Sequence, residues 1–194
     1  MDSHQKDQIS SYKSLLVSWN NTHNLVSKNQ ATNLDEHITD SLSITPYLRK
    51  NIIDLGSGGG LPGIPLAIIN PDKNFYLVES NTKKGAFLLN ASTRLKLSNV
   101  TVFNRRIEDL SLNDFPVCLD IVSRAVGTTE SIIELTKHLL QNQDNALQLM
   151  KTQDQFQAET IPTGFTVKKI EKFPSKAKDK TRILVTIEAE QKNG

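Results

Sequence analysis

One cysteine among 194 residues leaves no partner for an intramolecular disulfide and too few thiols for a cysteine-rich zinc site, so no metal is expected. Aromatic residues amount to only 6%, and no apolar run approaches the roughly eighteen residues of a membrane span. The opening Met1-Asp2-Ser3-His4-Gln5-Lys6 lacks a basic stretch leading into an apolar one, so no secretion signal is expected. The expectation is a soluble, cytoplasmic protein. Strong charge of either sign is also missing: the formal net charge is +2, which excludes a polycation that coats nucleic acid indiscriminately. Charge is concentrated in one place. Residues 168–182 hold Lys168, Lys169, Lys172, Lys176, Lys178, Lys180 and Arg182 against Glu171 and Asp179, a local balance of +5 that leaves −3 for the remainder. Such a segment either steers toward phosphates or is a solvated loop.

What is present is a globular composition, with 37% hydrophobic residues and no internal repeat or long linker. A single domain over residues 1–194 is expected, with 1–48 a helical extension and 49–194 an α/β core. Ile9, Tyr12, Leu15, Leu16 and Trp19 fall at three- and four-residue steps over 8–20, the stripe of an amphipathic helix with Trp19 in the core. Residues 33–48 repeat the pattern through Leu34, Ile38, Leu42 and Leu48. From Asn51 onward short apolar runs alternate with helical segments. Strands are expected at 52–55, 75–78, 100–103, 119–122 and 146–150, with helices at 61–69, 83–96 and through Ile132–Leu140 between them. This alternation builds a parallel sheet covered on both faces. Residues 165–173 and 183–188 are strand-like but too close for a crossover helix, so they pair as an antiparallel hairpin. A mostly parallel sheet closed by such a hairpin is the layout of the S-adenosylmethionine (SAM) methyltransferases, a Rossmann-like α/β class.

Asp54-Leu55-Gly56-Ser57-Gly58-Gly59-Gly60-Leu61-Pro62-Gly63 sits where the first strand meets the first helix. Residues without side chains let the backbone approach a ligand closely and adopt positive φ. Gly58, Gly60 and Gly63 also satisfy the dinucleotide spacing, so an NAD-dependent oxidoreductase is the rival. Against it stand Asp54 two residues before the first glycine, Leu61 in the third glycine position when counting starts at Gly56, and the terminal hairpin. Glu79, ending the second strand, accepts from ribose hydroxyls that SAM and NAD share; its bland alternative is a cap on the next helix near Thr82. Ile107 and Glu108 stand just past the third strand, where adenine is sandwiched and its amino group read.

The run Asn51–Ala67, with Gly-Leu-Pro-Gly-Ile-Pro-Leu at its centre, resembles the bacterial 16S ribosomal RNA guanine-N7 methyltransferase family (RsmG, formerly glucose-inhibited division protein B). Trp19-Asn20, Asn24-Leu25, His37-Ile38-Thr39-Asp40-Ser41, Arg106-Ile107-Glu108, Ser123-Arg124-Ala125 and Met150-Lys151 extend the resemblance in order over most of residues 10–190. It implies SAM as cofactor and 16S rRNA as partner, as naked RNA or within the small subunit, with the 530 loop as target and a monomer as the acting form. Another RNA position and the NAD enzyme remain the alternatives.

Absences narrow the acceptor. Cytosine C5 transfer needs a cysteine nucleophile, yet Cys118 lacks the adjoining proline and reads as a buried small hydrophobe. Exocyclic amines bring an Asn/Asp-Pro-Pro-aromatic signature where Ser123-Arg124-Ala125 stands. Ribose transfer uses a Lys-Asp-Lys-Glu set, of which Lys151 and Glu188 mimic part while Arg124 replaces the aspartate. Guanine N7 has a lone pair and no proton to lose, so it needs no base. The candidate catalytic set is therefore Arg124, His37 and Lys151. Arg124 grips guanine, cofactor or phosphate, or forms a salt bridge; Lys151 meets phosphate or is a strand-end charge; His37 closes over the site or is structural. The cofactor set is Asp54, Gly56, Ser57, Gly58, Gly60, Leu61, Pro62, Glu79, Ile107, Glu108 and Arg124. Asp40 and Ser41 are expected to cap the N-terminal helices or tie them to the glycine loop.

Overall fold

The structure is a computed structural model that describes residues 1–124, 126–142, 144–173 and 181–191. Its first helix starts earlier than the apolar stripe does. Asp2 and Gln5 cap each other reciprocally, each side chain accepting from the other's backbone amide, so α1 runs Ser3–His23. Ser27 and Gln30 do the same for α2 (Lys28–Thr32), a short helix with no buried residue and hence no apolar stripe to announce it. The next, α3 (Leu34–Ser43), stops short of residue 48 because Pro46 enters a 3₁₀ turn over Thr45–Tyr47.

Beyond it come β1 (Asn51–Leu55), α4 (Gly63–Ile69), β2 (Asn74–Val78), α5 (Thr82–Arg94), β3 (Val100–Phe103), β4 (Leu119–Arg124), α6 (Thr129–Leu140), β5 (Ala146–Thr152), α7 (Gln153–Gln157), β6 (Phe165–Phe173) and β7 (Arg182–Ala189). α4 begins at Gly63, not Leu61, with Pro62 outside as its capping residue. α7, absent from the apolar pattern, is announced by a reciprocal cap between Thr152 and Gln155. Cys118 is exposed, in contrast to its expected burial: its φ of +61° breaks the extended backbone just ahead of β4 and takes it out of the sheet's alternation. Among the described residues no helix is long and apolar enough to cross a membrane.

The seven strands form one sheet in the order β3-β2-β1-β4-β5-β7-β6. β1 to β5 are mutually parallel where paired, and β7 runs antiparallel to both β5 and β6, as the hairpin expectation required. Alternate residues of a strand face opposite sides, and two cores result. Ile52, Phe75, Leu77 and Val122 join Tyr12 and Leu16 of α1, Leu34 and Ile38 of α3, Leu66 of α4 and Phe87 of α5 on one side. Ile53, Leu55, Ile121 and Leu149 meet Ile132, Ile133 and Leu139 of α6 on the other. The N-terminal helices thus share a core with the sheet. Trp19 lies at that core's margin, half-buried, with its ring edge-on to Phe87 at 5.6 Å. Chain order reverses between β1 and β4, and the carboxyl ends of these two strands open a crevice.

One ion pair lies away from that crevice. Asp120 of β4 is fully buried, and its carboxylate accepts from Arg49 Nε at 2.9 Å, from the Arg49 backbone amide and from Gln148 at 3.3 Å. Removing one partner strands the other charge. Arg49→Ala should lower unfolding free energy by about 3 kcal/mol, near the low end for a buried pair because Arg49 is itself partly exposed. Chemical denaturation measures this, and a loss below about 1 kcal/mol would contradict the assignment.

Candidate functional site

The glycine loop is held from three sides and bare on the fourth. The amides of Gly56 and Ser57 both donate to the Val78 carbonyl of β2 at 2.9 and 3.1 Å, and the Gly60 amide closes a turn onto the Ser57 carbonyl at 2.7 Å. Gly58 takes a φ of +56° and Gly60 one of +87°, a region that costs a residue with a β-carbon about 1 kcal/mol or more. Asp54, 1% exposed, spans the loop and accepts from the Gly63 amide at 3.0 Å. Burial raises its pKa to about 6, against the opposing pull of the Gly63 and Ser57 hydrogen bonds. From beneath, the fully buried Tyr12 hydroxyl of α1 donates to the Gly59 carbonyl at 2.6 Å. A β-carbon at Gly59 would meet Val26 Cγ1 at 2.6 Å and Leu16 Cδ1 at 3.1 Å. At Gly58 the space is open: among the described residues, its chain neighbours aside, such a carbon would meet within 4 Å only the Gly56 carbonyl oxygen, at 3.7 Å.

Glu79 borders that open side. It is 8% exposed; one carboxylate oxygen accepts from the Gly58 amide at 2.9 Å and the other from the Asn81 amide at 2.8 Å. It does not cap the following helix, a role taken by Asn81, whose side chain accepts from the amides of Lys83 and Lys84. Each carboxylate oxygen keeps a further lone pair for a ligand hydroxyl. Ile107 is buried in the turn Ile107–Asp109 that follows β3, with Glu108 exposed beside it. Leu61 and Pro62 are buried, Leu61 as part of the core beneath the loop.

At the same edge of the sheet, a cavity of about 210 Å³ opens at the carboxyl ends of β4 and β5 and the start of β7. Arg124, His37 and Lys151 all line it, together with Asp40, Arg182 and Phe173. Arg124 donates to the His37 carbonyl at 3.1 Å and to Ser41 Oγ at 3.5 Å, fastening β4 to α3 rather than forming a salt bridge. Asp40 and Ser41 accordingly face Arg182 and Arg124, not the glycine loop: Arg182 Nε lies 3.4 Å from an Asp40 oxygen. Burial, then the neighbouring Arg124 charge, lowers the His37 pKa, and its buried Nε2 has no partner among the described residues. Its imidazole is neutral at pH 7. Lys151 is paired rather than free at the strand end. Only 9% exposed, it donates to Glu159 at 2.8 Å and to the Gly127 carbonyl at 3.0 Å. Burial raises the Glu159 pKa, but the hydrogen bonds from Lys151 and Thr129 outweigh it and the net direction is down.

Of the basic segment, Lys176, Lys178 and Lys180 lie outside the described residues. Lys169 pairs with Glu171 and sits 5.8 Å from the Tyr47 ring centre, Lys168 is 4.0 Å from Glu188, and Lys172 is exposed. Tyr12, Asp40, Glu159 and Arg182 were not foreseen as parts of the site. A hydroxyl on an otherwise apolar stripe was the available signal for Tyr12; nothing local marks Glu159.

The family described as rRNA small subunit methyltransferase G matches residues 5–185 of this chain. Curated relatives named ribosomal RNA small subunit methyltransferase G include that of Hydrogenovibrio crunogenus, 36% identical over 91% of this chain and 82% of its own length. The Salmonella arizonae relative of the same name is 33% identical over 96% and 90%. Among solved structures, a magnesium protoporphyrin IX methyltransferase from Synechocystis with bound SAM superposes with a TM-score of 0.59 at 14% identity, covering 92% of this chain and 97% of its own. A protein of the NADB-Rossmann superfamily from Streptococcus agalactiae gives 0.57 at 14% identity over 80% and 69%. At such identity both speak for the fold alone.

The two central glycines make opposite predictions. Gly58→Ala should cost about 1 kcal/mol of stability, from its positive φ, and weaken binding of a nucleoside ligand more than tenfold by filling the open side. Gly59→Ala should destabilise by about 1–3 kcal/mol, because its β-carbon overlaps Val26. Thermal unfolding beside ligand titration separates them, and equal effects on both readouts would contradict the placement of the open face.

Proposed function

Because the chain belongs to the rRNA small subunit methyltransferase G family, we propose that it methylates guanine N7 of 16S ribosomal RNA, in the 530 loop, using SAM. The observation that supports this reading is that the open side of Gly58, bordered by Glu79, and a cavity lined by Arg124, His37 and Lys151 stand at the same carboxyl edge of the parallel strands. The acting form is a single chain, and offering it naked 16S rRNA and assembled subunits in parallel identifies the substrate form.

The residues fit this cofactor. The open space at Gly58 admits a ligand against the backbone, while Glu79 has acceptor capacity left for two ribose hydroxyls. Asp54, Gly56, Ser57, Gly58, Gly60, Leu61 and Pro62 form the loop that receives it, Ile107 walls the adenine and Glu108 reads its amino group. When bound, SAM supplies a methyl group already activated by the sulfonium charge. The remaining work is positioning. Arg124, fixed by His37 and Ser41 at the edge of the cavity, holds the acceptor and its approach to the cofactor. Lys151, neutralised by Glu159, serves as a fixed donor and wall. His37 is neutral, with no partner on Nε2, and contributes shape and one hydrogen-bonding atom.

N7 attack releases no proton, which agrees with a site whose lysine is paired with a carboxylate. The single-turnover rate should therefore stay within about twofold between about pH 6.5 and 8.5, where a required base would impose a titration. The product, 7-methylguanosine, carries a cationic imidazole ring that borohydride reduces, after which the base is lost and aniline cuts the strand at that position. Cleavage at one guanosine of 16S rRNA is the expected result. RNA that gains methyl groups yet resists cleavage would overturn the N7 assignment and direct attention to Lys151 as a catalytic group on a ribose or exocyclic acceptor.

A further inference from the structure

The cavity holds two carboxylates in different states. Glu159 is engaged, accepting from Lys151 on one oxygen and from the amide and hydroxyl of Thr129 on the other. Asp40 accepts no side-chain hydrogen bond from any described residue, although its side chain is only 12% exposed and lines the cavity. Arg182 Nε stands 3.4 Å away, within ion-pair range, yet Nε itself has no hydrogen-bond partner among the described residues, so the two are not aligned. A carboxylate this enclosed ordinarily has its lone pairs satisfied. Asp40 has acceptor capacity pointing at an enclosed space.

Its location orders the site. Arg124 follows Ser123, which is in register with Leu55 at the start of the glycine loop, and its guanidinium ends on the His37 carbonyl and Ser41 Oγ, so it spans from the edge of the loop to the helix that carries Asp40. A planar purine filling the cavity with its five-membered ring toward the loop turns its opposite edge toward Asp40. In guanine that edge carries two adjacent donors, N1–H and the N2 amino group, which match the two oxygens of a carboxylate. Adenine and cytosine offer an acceptor beside their donor there, and uracil offers one donor between two carbonyls. Resting on the assignment of N7 as acceptor, we propose that Asp40 is the specificity residue of this site, reading the Watson–Crick edge of the guanine. A guanine read in this way is unpaired. The substrate is then a guanosine in a single-stranded or extruded position, in keeping with the inaccessibility of N7 in the narrow major groove of paired RNA.

The test is a cycle between enzyme and base. RNA carrying inosine at the acceptor position keeps N7, O6 and N1–H but lacks the N2 amino group. With the unaltered enzyme, inosine should lower kcat/KM about tenfold or more relative to guanosine, the scale of one hydrogen bond to a charged acceptor. Asp40→Asn should lose a similar factor on guanosine, and its guanosine-to-inosine ratio should fall to about one or invert, because the new amide opposes the N2 amino group. SAM titration of Asp40→Asn should match the unaltered protein, marking it as folded. A ratio near one in the unaltered enzyme, which needs no variant, or an Asp40→Asn ratio as large as that enzyme's, overturns the role of Asp40. Failure of the underlying N7 assignment shows itself separately, as methylated guanosine RNA that borohydride and aniline do not cleave.

Discussion

The bond from the Gly63 amide to the buried carboxylate of Asp54 ties the end of β1 to the first residue of α4, and the carboxyl edge of the sheet takes its shape from that tie. With both ends of the loop fixed, its middle has little freedom. Tyr12 restrains Gly59 from below and Glu79 restrains the Gly58 amide from the side. Each restraint uses a backbone polar group that would otherwise need water, so the loop is ordered before any ligand arrives and the ordering cost is not charged to binding. What is left unrestrained is the side of Gly58 that stands open among the described residues.

The same logic extends from the loop to the cavity. Arg124 leaves the end of β4, next to β1 in the sheet, and ends on the His37 carbonyl and Ser41 of α3. α3 is thereby a wall of the site as well as a layer on the sheet, which explains why helices preceding the α/β alternation belong to the same buried core. Glu159 holds the Lys151 ammonium, which has no lone pair to offer as a base, and burial and Arg124 make His37 a weaker base than a free imidazole. A site of this construction suits an acceptor atom that already owns a free lone pair. Its selectivity must then come from hydrogen-bond geometry, the property that Asp40 has to offer.

Much of this was legible along the chain because much of it is local. The strand Val100–Phe103, the hairpin strand Phe165–Phe173 and the positive-φ glycines follow from alternation, spacing and the absence of β-carbons. α2 and α7 bury no residue and so carry no apolar stripe, yet their Ser27/Gln30 and Thr152/Gln155 caps were written in the sequence. The pairing of Lys151 is not local. Its partner Glu159 reaches it only because α7 turns the chain back toward the end of β5. Asp40 facing Arg182 is likewise a meeting of α3 with the first residue of β7, and no periodicity foretells it. Cys118 shows the converse error, since an apolar neighbourhood in sequence was undone by one left-handed backbone angle.

Calorimetric titration of SAM and NAD into the unaltered protein and into Glu79→Ala tests most directly that the glycine loop and Glu79 form a SAM site. SAM should bind and NAD give no heat of binding, while Glu79→Ala should weaken SAM by about tenfold to a hundredfold, the range for hydrogen bonds to a charged group. Equal SAM affinity in the two proteins, or binding of NAD as tight as that of SAM, would contradict the account.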